Sequence, residues 1–592
     1  MGGSPIMKFK FHHKHKLNKI NNHFFNSTCF KAILKILTII MLIVLIVPNG
    51  CKNSFSKLFG YSVQCIPKNL DPQTASTSDE ISVICNVFEG LYKQNPNKTY
   101  SLAAASNVQS NEAKTKFLFN IKTDRFWSLH STDSDEKQKF CQPINASDFE
   151  FAFKRLLNPN TNSPFAQNFY FIKNAQPIHE GKMRLDNLGV KAQNNQLLME
   201  LEHPVPNLEE MLSSAPAMPC NELFFQHTKG RYGLSLNTLM CNGLFYIHFW
   251  PQNRKDKKLR LRVNKKHPDS SSLKIIGVNL SQRSQKEALK LLSKNEIDSS
   301  FLDLDQTDLQ NNKISSTNKI INFQNSTSGI FFNQNSALFK NEKIRQALAM
   351  TIDREHLNSV LNRQKSTIAK NLIPNSVSIA GENFQNLRTS DSTCLEFNVV
   401  KAKELFAAGI AELKPKIKSK NKKSSQNNVT NNSLNLNQFS ILVNENQYYI
   451  ANEILQNWQQ NLNLYLKVDL CDNETYLKKL KNKNFDCTLT TLENEFNNPI
   501  HILSKFLPNS SSDFNNNQLT NLQTYLNAAA QSASLHEMAK NFEQAEKEIL
   551  NSANFIPIHH PIKTFAHTKK FDGIFLDPSC KLLIFSSINP IS

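Results

Sequence analysis

From Phe439 to Thr490 the chain switches repeatedly between two hydrophobic periods, and this alternation constrains its fold more than any other feature. Phe439–Asn444 reads as a strand, Tyr448–Asn461 as a helix and Leu464–Leu470 as a strand. Asn473–Lys481 then reads as a helix and Phe485–Thr490 as a strand. Strands joined through helices run parallel, with the helices laid on the sheet faces. An α/β protein follows. Earlier segments obey the same logic: Ile81–Tyr92 has a helical apolar face, Lys116–Lys122 and Asn194–Glu202 alternate as strands, and Asn145-Ala146-Ser147 forms a capping turn before a helix over Asp148–Leu157. Asn341–Leu361 carries Ile344, Ala347, Leu348, Ile352 and Leu357 at helical spacing. No internal repeat is visible.

Charge divides the chain. The 592 residues carry +20, from 69 basic and 49 acidic side chains. Seven lysines and no acid lie in the first 50 residues, and six more lysines lie in Lys414–Lys423. A basic total suggests a nucleic-acid or membrane partner, but here the charge sits in a leader and a loop, which argues against nucleic acid. The aperiodic Lys/Asn/Ser tract 414–437 reads as an insert.

Ile36 to Val47 is apolar except for Thr38 and leads into Pro48-Asn49-Gly50-Cys51. A basic region, a short apolar stretch and a small residue describe an export signal over 1–50. The apolar run is shorter than the roughly 20 residues of a spanning helix. Cys51 after Gly50 resembles the acceptor of a lipoprotein signal, with 51–58 as a linker. An uncleaved anchor is the alternative, and both place the remainder outside the cytoplasm, tethered to the membrane.

The cysteines form no C-x-x-C pair. Cys220 and Cys241 flank a candidate loop and are candidates for a disulfide in an oxidising compartment. Cys471 ends one strand of the parallel unit and Cys487 begins the next, so they lie a strand length of about 17 Å apart. A disulfide requires Cα atoms within about 7 Å. That pair should stay unbonded. His559 and His560 are neighbours on a strand and face opposite ways, which disfavours chelation. No metal site or cofactor is expected.

Eight segments in order resemble extracellular solute-binding protein family 5. Asn69-Leu70-Asp71-Pro72-Gln73 resembles its opening element, Val87–Tyr92 the helix that follows, and Phe117–Trp127 the next strand. Ala146–Phe149 with Lys154–Pro159 resembles its helix ending in an Arg-Leu-Leu-x-Pro run. Cys241–Phe245 with Trp250, Phe332-Asn333 with Lys343–Arg354, Asn371–Pro374 and Ala402–Leu405 complete the series. The family's Trp-Ser-Asp-Gly turn is replaced by the insertion Leu129–Lys139, and Leu244 stands where proline is usual.

The resemblance implies a two-lobed periplasmic-binding-protein fold of type II, with hinge-connected lobes around a ligand cleft and an extra subdomain. Lobe I would comprise 53–92, 214–281 and 557–592, with the subdomain 93–213 inserted in it, and lobe II would comprise 282–556. It implies a substrate-binding lipoprotein of an ABC importer that captures oligopeptides outside the cell and delivers them to the permease subunits, as a monomer. The same fold also accommodates a dipeptide, nickel-chelate or oligosaccharide receptor, or a peptide-sensing lipoprotein without import.

Peptide-binding members hold the ligand's α-ammonium on a carboxylate in a W-x-a-D-Y-x-x-P segment. Leu492–Pro499 occupies that place, with Glu495 for the aspartate and Phe496 for the tyrosine. Asn242-Gly243 matches a cleft-lining loop or is a plain turn, and Trp127 and Trp250 suit either cleft wall or core. Arg345 reads as structural. No nucleophile elbow, P-loop, H-E-x-x-H helix or dinucleotide fingerprint occurs, so nothing supports an enzyme.

Overall fold

The computed structural model describes residues 58–130, 138–251, 256–302, 318–363, 366–390, 394–413, 436–494, 497–508, 514 and 519–591. The leader, Cys51, the tract 414–435, Glu495 and Phe496 lie outside the described residues.

Two sheets organise the two lobes. The first has seven strands in the order Asn318–Phe323, Lys563–Thr568, Ser299–Leu302, Leu58–Val63, Gly277–Gln282, Lys258–Val263 and Phe245–Phe249. Its Leu58–Val63 strand pairs in parallel with both neighbours and sends Phe59, Tyr61 and Val63 into the core. A four-stranded antiparallel sheet, built from Ala105–Ser110, Lys116–Ile121, Gln196–Glu200 and Val190–Gln193, forms the inserted subdomain. Its apolar face and the helix Ala146–Leu157 join the same hydrophobic core as the first sheet. That helix begins as expected: Asn145 caps it and Asp148 closes a capping box.

The second sheet has six strands in the order Ser366–Ile368, Phe555–Pro561, Ser326–Phe332, Cys487–Glu493, Ser440–Asn444 and Lys467–Cys471. The predicted parallel unit is present: Ser440–Asn444 pairs in parallel with both Lys467–Cys471 and Cys487–Glu493. Cys471 stands opposite Asn444 and Cys487 opposite Ile441, and both are free thiols. Ser326–Phe332 is buried on both faces, Ile330 and Phe332 packing on one side and Phe331 on the other. Gly329 lets a neighbour approach, since a Cβ there would lie 2.3 Å from the Ile556 carbonyl oxygen.

Two expectations need correction. The helical pattern Asn341–Leu361 divides into Glu342–Met350 and Arg354–Arg363, because Asp353 Oδ1 accepts from the His356 N–H and starts a new helix. The lobe boundaries also move. Ser299–Leu302 and Asn318–Phe323 pair with Lys563–Thr568 in the first sheet, so the chain crosses between sheets at 324–325 and again at Ile562, rather than at 282 and 556. Short alternating strands do not announce which sheet will take them; pairing partners some 240 residues away decide it.

Candidate functional site

The motifs that carried the resemblance are mostly structural joints. Asp71 receives Arg155 through two bonds, Nη2 to Oδ2 at 2.5 Å and Nη1 to Oδ1 at 3.1 Å, and Nη1 also donates to Gln73 Oε1 at 2.6 Å. Gln73 in turn donates to the carbonyls of Pro216 and Met218. Cys220 lies against the same guanidinium at 3.4 Å, whereas Cys241 forms a backbone bridge with Ser128. Both are free thiols, so the candidate Cys220–Cys241 disulfide is corrected: the Cys220 thiol meets Arg155 and Tyr232, whereas the Cys241 thiol meets the Ile247 backbone.

Trp127 is wholly buried and donates its indole N–H to Asp148 Oδ2 at 3.0 Å. Burial pushes the Asp148 carboxyl up to about 6 despite donors from Trp127 and Asn145. Trp127 offers no surface to a ligand and is part of the core. Trp250 is nearly buried too, its indole donating to the Pro67 carbonyl. Asn242 has no exposed surface: Nδ2 donates to the Glu89 carbonyl and Oδ1 accepts from the Glu89 N–H. The Gly243 N–H donates to the Val87 carbonyl, and a Cβ there would lie 2.7 Å from the Val87 carbonyl carbon. This pair therefore grips the turn that ends the helix Ser78–Val87. It is also why that helix stops at Val87 and not at Tyr92.

Below that turn, Glu89 is bound by Arg125 Nε at 2.9 Å and His267 Nε2 at 3.0 Å, and Arg125 also reaches Asp269 at 3.2 Å. Against the effect of burial, His267 and Arg125 hold the Glu89 carboxyl below its usual value. Glu89, His267 and Asp269 have metal-compatible spacing, but the guanidinium already supplies the positive charge between the two acids.

The described residues on either side of Glu495 and Phe496 lie at the junction between the lobes. Glu493, at the end of a second-sheet strand, binds Lys563 Nζ at 2.5 Å and Lys581 Nζ at 2.9 Å. Asn494 Nδ2 donates to the Ser579 carbonyl, and Asn497 Nδ2 donates to Asp577 Oδ2. Glu495 and Phe496 fall between these contacts in the chain. Leu492, at the family's tryptophan position, is buried in the second lobe's core.

Two cavities flank this segment. One, of about 910 Å³, lies at the ends of first-sheet strands and is lined by Tyr61, Thr77, Asp79 and Arg283 together with Glu493, Lys563 and Lys581. Although burial works the other way, Lys563 and Lys581 hold the Glu493 carboxyl well below the carboxylate range. Asp79, in the first turn of the helix Ser78–Val87, is pushed up by burial to about 6 despite the pull of Lys581. The second cavity, of about 990 Å³, is lined by that helix, the inserted subdomain, the C-terminal segment and Asn497. Sequence reasoning singled out the segment around Glu495 and did not point to Asp79, Glu493, Lys563 or Lys581, which line the first cavity. Only Glu493, two positions from the motif residue, had a sequence signal.

Two lobes on separate sheets, joined by strand crossings around a polar cleft, define a two-lobed solute-binding protein, which is not an enzyme. Residues 98–514 match the model of the bacterial extracellular solute-binding proteins, family 5, and the chain belongs to that family. It is 23% identical over 540 residues to the oligopeptide-binding protein OppA of Bacillus subtilis, covering 89% of this chain and 92% of that protein. It is 25% identical to the dipeptide-binding protein of Lactococcus lactis, covering 90% and 94%. Among solved structures, Listeria monocytogenes OppA bound to peptide superposes with a TM-score of 0.71 at 20% identity, covering 91% and 99% of the two chains. The pheromone receptor PrgZ superposes with a TM-score of 0.72 at 21% identity, covering 90% and 100%.

Proposed function

We propose that this protein captures oligopeptides outside the cell and hands them to the membrane permease of an ABC importer. The observation that carries this reading is the charged cavity between the lobes, contributed by Thr77–Asp79 on one side and Glu493 on the other, with Glu495 two residues further along the chain. A peptide brings an ammonium, a carboxylate and a series of backbone donors and acceptors, and burying any of these unpaired costs several kcal/mol. A cleft with paired charges and water-sized gaps meets that demand without reading each side chain. Hinge closure over the ligand then forms the state that the permease recognises. The names of the Bacillus and Lactococcus relatives support the peptide assignment.

Glu495 is the proposed anchor for the peptide's α-ammonium. In titration calorimetry, Glu495→Gln should weaken peptides with a free amino terminus by about tenfold or more, a charge-assisted bond being worth roughly 1.5–3 kcal/mol. Acetylated peptides should change little; equal losses for both remove Glu495 from this role.

Cys51 is the proposed lipid attachment point. Cys51→Ser should release exported protein from the membrane fraction and lower its mass by the lipid. A variant that stays membrane-bound at unchanged mass contradicts the anchor.

A further inference from the structure

The 990 Å³ cavity combines apolar walls with two buried acids that form no ion pair among the described residues. Ile81, Phe88, Met218, Leu582 and Ile584 supply apolar lining, and Glu210 and Asp577 line the same space. Glu210 is 5% exposed and Asp577 2%. Among the described residues, every hydrogen bond to them comes from a neutral donor. Glu210 accepts from the Ala380 N–H at 2.9 Å, Asn207 Nδ2 at 3.2 Å and the Tyr100 hydroxyl at 3.3 Å. Asp577 accepts from the Ser579 N–H and hydroxyl, Gln94 Nε2 and Asn497 Nδ2. Among the described residues, no lysine, arginine or histidine forms an ion pair with either. Lys93 lines the cavity but is exposed and bonds neither acid.

Buried carboxyls are ordinarily paired, because desolvating an unpaired charge is expensive. Two in one cavity, with Asp577 adding to the cost of ionising Glu210, leave room for a cation that arrives with the ligand. The apolar walls suit a long aliphatic stem, whose burial is favourable while its charged head meets the acids. The site is also shared between lobes. Glu210 comes from the inserted subdomain and Asp577 from the C-terminal segment, whereas Ala380 and Asn497, which donate to them, come from the second lobe.

We propose that this cavity is a side-chain subsite for a lysine or arginine of the bound peptide, its stem against the apolar wall and its head between Glu210 and Asp577. The inference rests on the peptide reading above. It adds a preference that main-chain recognition does not supply. Without ligand, burial keeps the Glu210 proton in place up to about pH 8, even with donors from Ala380 and Asn207. The other ionisable groups around the space are Glu89, already bound to Arg125 and His267, together with Lys93, Tyr92, Tyr100, Cys85 and Cys580. A cationic head therefore displaces the Glu210 proton.

Calorimetry with alanine tetrapeptides carrying one lysine, moved through each position and compared with norleucine at the same position, tests this. At one position lysine should bind about tenfold tighter than norleucine. Binding at pH 7 should release close to one proton, measured from the buffer dependence of the heat. Glu210→Gln, which can still accept from Ala380, should abolish the proton release and bring lysine and norleucine within about threefold; Asp577→Asn should also narrow the gap. Norleucine equal to or tighter than lysine at every position overturns the subsite while leaving peptide capture intact. Absence of binding by every tetrapeptide overturns the peptide reading and the subsite together.

Discussion

Arg155→Met should cost about 3–5 kcal/mol of stability in urea denaturation, the largest effect expected from a single substitution here. The guanidinium is buried, bonds both oxygens of Asp71 and the amide of Gln73, and lies 4.2 Å from the centre of the Phe225 ring. Asp71 is itself 5% exposed. Methionine fills part of the volume but leaves a buried carboxylate without its cation, and that stranded charge dominates the loss. Adding Asp71→Asn should recover a substantial part of it, since the partner no longer carries a charge. A single-variant loss under about 1 kcal/mol, or a double variant no better than the single, would show that the pair is not the joint described.

Acidification should destabilise the second sheet through His559 and His560. Both are buried on the strand Phe555–Pro561. The Thr327 hydroxyl spends its one hydrogen on the Leu372 carbonyl, so His560 Nδ1 is the donor to Thr327 Oγ1 at 2.9 Å, and it also lies 3.3 Å from the Ser326 carbonyl. Burial lowers His559 to about 3, with His560 adding to the effect, and lowers His560 to about 4. The ordinary value is near 6.5. Between pH 6.5 and 4 the unfolded chain therefore binds protons that the native imidazoles refuse, and native stability falls as pH falls. By pH 4 the loss is of the order of 3 kcal/mol per histidine.

Asp79, Asp148 and Glu210 shift the opposite way, so the whole-protein profile mixes both signs. The difference between wild type and His560→Asn isolates the histidine term. That difference should narrow steadily from pH 7 to pH 4 as the wild type loses its advantage; a difference independent of pH would mean that the imidazole titrates normally.

Much of the architecture was legible because it depends on local periodicity. The Phe439–Thr490 alternation implies a parallel unit, which the sheet contains, and Asn145 marks the helix start that it caps. The pattern around Pro499 assigns Glu495 a ligand role only as an expectation; Glu493 lines one inter-lobe cavity and Asn497 the other. Asn242-Gly243 and Trp127 were read from the same kind of resemblance, yet their side chains are consumed by Glu89, Val87 and Asp148. A motif shows that a position matters to a family; burial and bonding show whether it matters through the ligand or through the scaffold.

The sequence by itself determined the class of fold, the order of helices and strands and the family, since each depends on side chains close along the chain. Only the tertiary structure decided where the chain crosses between lobes and which charges meet in the cleft. Lys581 reaches Glu493 across 88 residues, and Glu210 shares a cavity with Asp577 at the far end of the chain. Electrostatic and packing energies depend on distance in space, and no periodicity records the distance between residues brought together by folding.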